Sequence, residues 1–151
     1  MSESSPFPQN FEDALRQAVQ RSADSVGSRI CSLMMLDRST NMLVIRATQY
    51  LSAGYRQRPP IRVGYSVCGR AAKQKRAVQI LDAGKDPSYS SPEIARRENL
   101  KSMLSVPMLL GGVLIGILNY YTQEERIFGE ETITVVQTIA NQAAEAVRSL
   151  I

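Results

Sequence analysis

Histidine is absent from all 151 residues of this chain. That absence excludes a Ser-His-Asp triad, a Cys-His nucleophile pair, a haem held by a proximal imidazole and any zinc site that needs His. A phospho-accepting histidine is excluded within these residues as well. Cysteine is scarce, with only Cys31 and Cys68, too few for a disulfide scaffold or a four-thiolate zinc site. No basic, apolar leader opens the sequence, which starts Met1-Ser2-Glu3-Ser4-Ser5. With so little cysteine, a reducing, cytoplasmic setting is the expectation. The one stretch that resembles a membrane span, Val106 to Leu118, falls short of the roughly 18–20 residues a spanning helix needs. It holds Pro107 and is split by Gly111-Gly112. Gly-Gly between two β-branched apolar runs is hairpin chemistry, so two buried antiparallel strands are predicted instead.

What is present suits one globular domain. Apolar residues make up 44% and charged residues 21%, enough for a core that buries roughly 68–70% of the unfolded surface. The net charge is +4, with a basic cluster of Arg56, Arg58, Arg62, Arg70, Lys73, Lys75 and Arg76. Without aromatic interleaving it reads as a solvated face, and nucleic acid is not an expected partner. The alternative is an anionic ligand near the helix start at Ser66, where free N–H groups attract negative charge.

Residues 1–9 are Ser- and Pro-rich and are expected to be disordered or a boundary remnant, with a single domain over 10–151. Asn10 is placed to cap a helix over 11–26, in which Phe11, Leu15, Ala18, Val19 and Ser22 recur at helical spacing and which Gly27 ends. Strands are predicted over 29–36 and 42–48, with turn residues between them, and a short one over 61–63. Ser66 offers a cap for a helix to Lys75. A strand over 77–81, a polar loop over 82–90 and a short helix over 92–99 follow. The Ser91-Pro92-Glu93 start of that helix combines a cap, a first-position proline and an early acid. Strands over 102–110 and 113–121 precede a long helix over 130–150, striped by Ile133, Val136, Ile139, Ala140, Ala143, Val147 and Leu150. Hairpins in the middle and helices at both ends favour an α+β fold, a mainly antiparallel sheet with helices on one side. The helical pattern runs unbroken to Ile151, which suggests a module of a longer protein.

Several segments resemble one family. Val63-Gly64-Tyr65-Ser66-Val67-Cys68-Gly69-Arg70-Ala71-Ala72 is similar to the glycine-rich start of the central helix of GAF domains, with Ser66 where the family has its second glycine. Leu100-Lys101-Ser102-Met103-Leu104-Ser105-Val106-Pro107-Met108 and Gly112-Val113-Leu114-Ile115-Gly116-Ile117-Leu118 resemble two successive GAF strands. Phe128-Gly129-Glu130-Glu131 and Asn141-Gln142-Ala143-Ala144-Glu145-Ala146-Val147 resemble its last helix. The resemblance covers nearly the whole chain. It implies a GAF/PAS-like architecture: a central six-stranded antiparallel sheet, terminal helices on one face and a loop-roofed small-molecule pocket on the other. It also implies a regulatory domain, such as those upstream of histidine kinases, diguanylate cyclases or transcription activators.

Within that family the residues discriminate. The cyclic-nucleotide pattern fails, because Asn119 is followed by Tyr120 and the pair after Phe128 is Thr132-Ile133. Without histidine, neither haem nor bilin is expected; no metal site is expected, and the ligand is an unknown small molecule. Val67-Cys68-Gly69-Arg70-Ala71 matches a segment of the family's free-methionine-sulfoxide reductase, yet no cysteine lies between Asp82 and Ser105, so an enzyme is not expected. Cys68 is either a small apolar residue in a buried helix or a redox thiol lowered by the helix start and Arg70. The candidate ligand residues are Tyr65, Cys68, Asp82, Tyr89, Met103, Ser105 and Asn119. Asp82 has the alternative of a turn residue, Tyr89 of a loop plug, and Ser105 and Asn119 of bonding a neighbour. Leu15, Val19, Ile139, Ala143, Val147 and Leu150 are expected to line the helix seam of a parallel homodimer. The functional expectation is a small-molecule- or redox-sensing domain of a cytoplasmic two-component sensor kinase, joined to a downstream effector domain. A dimerisation-only module with a filled pocket is the alternative.

Overall fold

The computed structural model describes residues 8–151; most of the segment expected as a boundary over 1–9 lies outside the described residues. Six strands, β1 (Ile30–Asp37), β2 (Met42–Gln49), β3 (Ile61–Arg62), β4 (Val78–Ile80), β5 (Met103–Leu110) and β6 (Val113–Tyr121), form one sheet. Their order is β3-β2-β1-β6-β5-β4, and every adjacent pair is antiparallel. The apolar run from Val106 to Leu118 lies in the β5–β6 hairpin. Gly111 and Gly112 both take positive φ, 58° and 81°, the geometry a tight hairpin turn demands. Among the described residues no helix is long and apolar enough to cross a membrane.

Two long helices, α1 (Phe11–Val26) and α5 (Glu130–Val147), cover one face. Asn10 caps α1 by accepting from the Asp13 N–H at 2.8 Å, and Gly27 ends it in the left-handed region. Strand alternation sends Leu104, Val106, Leu118 and Tyr120 to this side, where they pack with Leu15, Val19, Val136 and Val147. The Tyr120 hydroxyl shares a hydrogen bond with Ser22 Oγ of α1 at 2.8 Å.

The other face carries short helices: α2 (Ala53–Arg56), α3 (Ser66–Gln74) and α4 (Pro92–Arg97). Helix α2 was not expected, since four residues carry too little periodicity to register; Ser52 starts it by accepting from the Tyr55 N–H at 3.1 Å. At α3 the expected cap is displaced by one residue. Tyr65 stands at the cap position, and Ser66 is inside, at φ 61°, with its hydroxyl accepting from the Ser90 N–H instead. Ser91 precedes α4 but makes no capping bond.

The residues expected to line a dimer seam lie where α1, α5 and the sheet meet. Leu15, Val19, Ile139, Ala143 and Val147 are buried within the single chain, and Leu150 packs against the same core. The chain's own packing covers most of this stripe, and Ile139 and Ala143 also border a shallow groove between α1 and α5. Truncation of Leu15, 1% exposed, to alanine is expected to lower the unfolding free energy by about 2–5 kcal/mol. Chemical denaturation should give the same loss at every protein concentration. A loss that shrinks on dilution would place Leu15 in a seam between copies.

Candidate ligand site

On the face opposite α1 and α5, polar side chains converge inside the protein. Alternation along β6 places Asn119 and Tyr121 on this side, Ser105 of β5 lies opposite Asn119, and Ser32 of β1 lies on its other flank. The Ser105 hydroxyl donates to the Asn119 side-chain oxygen, and Asn119 Nδ2 donates to Ser32 Oγ at 3.2 Å. Ser32 shares a hydrogen bond with the Tyr55 phenol at 2.8 Å. Tyr55 in turn meets Tyr121 at 2.8 Å, and Tyr121 meets Tyr89 at 3.0 Å. Arg58 ends the series by donating to the Tyr89 oxygen at 3.1 Å. Its guanidinium also lies 4.1 Å from the ring centre of Tyr55 and 5.6 Å from that of Tyr89, a cation–π arrangement.

Local sequence explains this placement. Ser52 anchors α2 and so turns Tyr55 inward, while its hydroxyl is tied to the Glu98 carboxylate. Pro59-Pro60 hold the chain after Arg58 extended, which restricts Arg58 as well. Gly69 lets α3 approach: a Cβ there would stand 2.6 Å from the Arg62 carbonyl oxygen.

Above Tyr89 lies an open cavity of about 560 Å³, walled by Arg58, Arg62 and Arg70, by Pro59 and Pro60, and by roof-loop serines such as Ser88. Its size is that of small-molecule sites. Arg70 donates to Ser88 Oγ at 3.1 Å. The Nε groups of Arg58 and Arg70 are buried without any acceptor.

Of the seven candidate ligand residues, Tyr65 and Tyr89 line this cavity. Tyr65 stands 64% exposed at its edge, and Tyr89 forms its buried wall. Ser105 and Asn119 are fully buried and bond each other. Met103 is core. Asp82 builds the loop: it accepts from the Gly84 N–H at 2.9 Å and lies 3.8 Å from Lys101 Nζ. Cys68 lies on the buried side of α3 at 2% exposure, and burial pushes its thiol up to about 11, outweighing the lowering by Arg58. The thiol is therefore raised and not lowered. Cys31 lies on the opposite face of the sheet and is likewise raised by burial. Arg58, Arg70 and Ser88 are not among the seven candidates; both arginines belong to the basic cluster with its alternative of an anionic ligand near Ser66, but nothing in that cluster separates them from Lys75, which donates to the Gly112 carbonyl at the β5–β6 turn.

The profile of the GAF domain family matches residues 8–148. No curated protein matches the sequence significantly. Among solved structures, the chain is similar to the GAF domain of a phosphoenolpyruvate-protein phosphotransferase from Coxiella burnetii. The two are 26% identical with a TM-score of 0.77, over 94% of this chain and 84% of that one. It is also similar to a domain of a two-component sensor histidine kinase protein from Sinorhizobium meliloti, at 16% identity and TM-score 0.72, over 94% and 93%. A free methionine-R-sulfoxide reductase from Neisseria meningitidis shares the fold at 18% identity and TM-score 0.65, over 99% and 100%.

Burial raises the phenols of Tyr55 and Tyr121 above their ordinary value, so both stay neutral in the folded chain. Unfolded, they ionise near pH 10 and the thiols somewhat lower. A group raised by folding stabilises fully below its unfolded pKa, and that contribution is lost as pH rises towards the folded one. The urea midpoint is expected to be flat near neutrality and to fall from about pH 9 upward. Tyr121→Phe should cost about 1–3 kcal/mol at neutral pH, because two phenols lose a partner, and should shallow the alkaline fall. A midpoint unchanged between pH 8 and 11 would contradict this network.

Proposed function

This chain belongs to the GAF domain family, and from that premise we propose that it is a regulatory, small-molecule-sensing domain of a signal-transduction protein. The observation that carries the reading is the cavity of about 560 Å³ set directly on the Arg58–Tyr89 end of the buried network. A ligand there touches groups whose partners extend into the centre of the sheet. Strand β6 holds Tyr121 in that network and, one residue earlier, Tyr120 against Ser22 of α1. Ligand binding biases the packing of the terminal helices, and a connected effector reads the bias as a shift in population. This reading places the domain in a cytoplasmic sensor kinase; the Sinorhizobium protein carries a domain of the same fold. A homodimer in such a protein would use surfaces other than the buried stripe, for example the side of α5 that carries Val135, 39% exposed.

Catalysis is the weaker reading despite the reductase of the same fold. Thiol reduction of a sulfoxide needs a thiolate and a resolving thiol or outside reductant. Cys68 is buried and raised, and Cys31 lies across the sheet. One observation favours a second reading, a module with a plugged pocket: Tyr55, Tyr89 and Tyr121 fill the space beside the sheet centre themselves.

Thermal-shift screening of a metabolite collection separates the two. The sensing reading predicts compounds that raise Tm in proportion to occupancy, with the rise lost in Tyr89→Ala relative to that variant's own baseline. A plugged module would show no compound that raises Tm, and native mass spectrometry would show only the bare chain.

A further inference from the structure

The direction of the hydrogen bonds in the tyrosine network follows from counting protons. Ser32, Tyr55, Tyr121 and Tyr89 bring one hydroxyl proton each, and three bonds join them in series. One proton is left over. Ser32 already accepts from Asn119, and Ser32, Tyr55 and Tyr121 are fully buried. A leftover proton on any of these three would be a buried donor without an acceptor, which costs about 1–3 kcal/mol. On Tyr89, which lines the cavity, it can meet a ligand or water. The series therefore runs outward, each hydroxyl donating towards the cavity. Tyr89 accepts from Tyr121 and from Arg58 and turns its own proton to the opening.

The guanidinium groups of the wall have the same sense, as donors. Arg58 and Arg70 keep buried Nε–H groups with no acceptor, and Arg62 adds a third guanidinium. Among the described residues the ion pairs are Arg16–Asp13, Lys101–Asp82 and Arg148–Glu145, so no carboxylate neutralises the three cavity arginines. The acid in the roof loop, Asp86, is occupied by the N–H and hydroxyl of Ser88. Three guanidinium side chains line one cavity, and the aromatic faces of Tyr55 and Tyr89 take the place of a counter-ion for Arg58.

We propose that this cavity binds a small anion, a molecule bearing a carboxylate or phosphate group, held by Arg58, Arg62 and Arg70 and by the Tyr89 hydroxyl. The proposal rests on the small-molecule-sensing reading and names its ligand class. Carboxylate and phosphate share the required chemistry, an oxyanion that accepts several charge-assisted hydrogen bonds.

Isothermal titration calorimetry of the whole chain tests it with three probes at matched ionic strength: inorganic pyrophosphate, succinate and the uncharged diamide of succinic acid. The expected result is saturable binding of pyrophosphate or succinate, whichever is tighter assigning the headgroup, and none of the diamide. Arg62→Gln and Arg70→Gln, at exposed or half-buried positions, should each weaken that binding by about tenfold, the loss of one charge-assisted contact, with unchanged circular dichroism. Tyr89→Phe should weaken it as well. Binding of either anion that is unaffected by both arginine substitutions would overturn the proposal. So would capture of a single-stranded oligonucleotide that pyrophosphate does not displace. A chain that binds neutral compounds but neither anion overturns the proposal and leaves the sensing reading standing. A chain that binds neither kind overturns both.

Discussion

The phenol of Tyr121 is fully buried between two other phenols, and the cavity face of the sheet is organised around keeping it satisfied. Burying a hydroxyl without a partner costs a large share of a domain's net stability. The fold meets that demand by bringing Tyr55 from α2, Tyr89 from the roof loop and Ser32 from β1 to one place. Tyr55 and Tyr89 meet the Tyr121 phenol directly, and Ser32 bonds Tyr55 behind it. The last hydroxyl cannot be satisfied internally, so the network opens at Tyr89. The opening is the cavity.

The two faces of the sheet thus differ in kind. On the α1/α5 side, long amphipathic helices supply enough apolar area for close packing, with polar contacts from Tyr120 to Ser22 and from Gln137 and Asn141 of α5 to the β5 backbone. On the other side the covering helices are four, nine and six residues long. Short helices bury little apolar surface and leave ends to be satisfied, so polar residues complete the cover. A cavity with charged walls belongs on this second side, where the structure is least committed to apolar packing. Since Tyr120 and Tyr121 are neighbours on β6, the two sides are mechanically joined through one strand.

Legibility in the sequence followed the length of the signal. The 16-residue α1, the 18-residue α5 and the β5–β6 hairpin with its Gly-Gly turn were readable to within a few residues, because periodicity and turn chemistry repeat there. Helix α2 was not, and the cap of α3 was misplaced because Ser66 takes a left-handed backbone that a serine does not advertise. The apolar stripe on α1 and α5 was legible as a covered face, but the packing of both helices on the chain's own sheet was not, since periodicity reports that a face is covered and not by what. The site was the least readable part. Tyr55, Tyr89 and Tyr121 are separated by 34 and 32 positions in the chain, and only the fold brings their hydroxyls together. Cys68 illustrates a competition of terms: the helix start and Arg58 favour a thiolate, and burial at 2% exposure prevails.

The central claim is that an anion is perceived through Arg58 and Arg70 at the mouth of the tyrosine network. The most direct measurement is nitrogen–proton NMR of the arginine Nε–H groups during a titration with inorganic pyrophosphate. The account predicts that the Arg58 and Arg70 resonances move together along one saturable curve while that of Arg148, on the far helix end, stays in place. A parallel, unsaturated drift of all arginine resonances would contradict it, since that is the signature of ionic screening over a solvated basic surface.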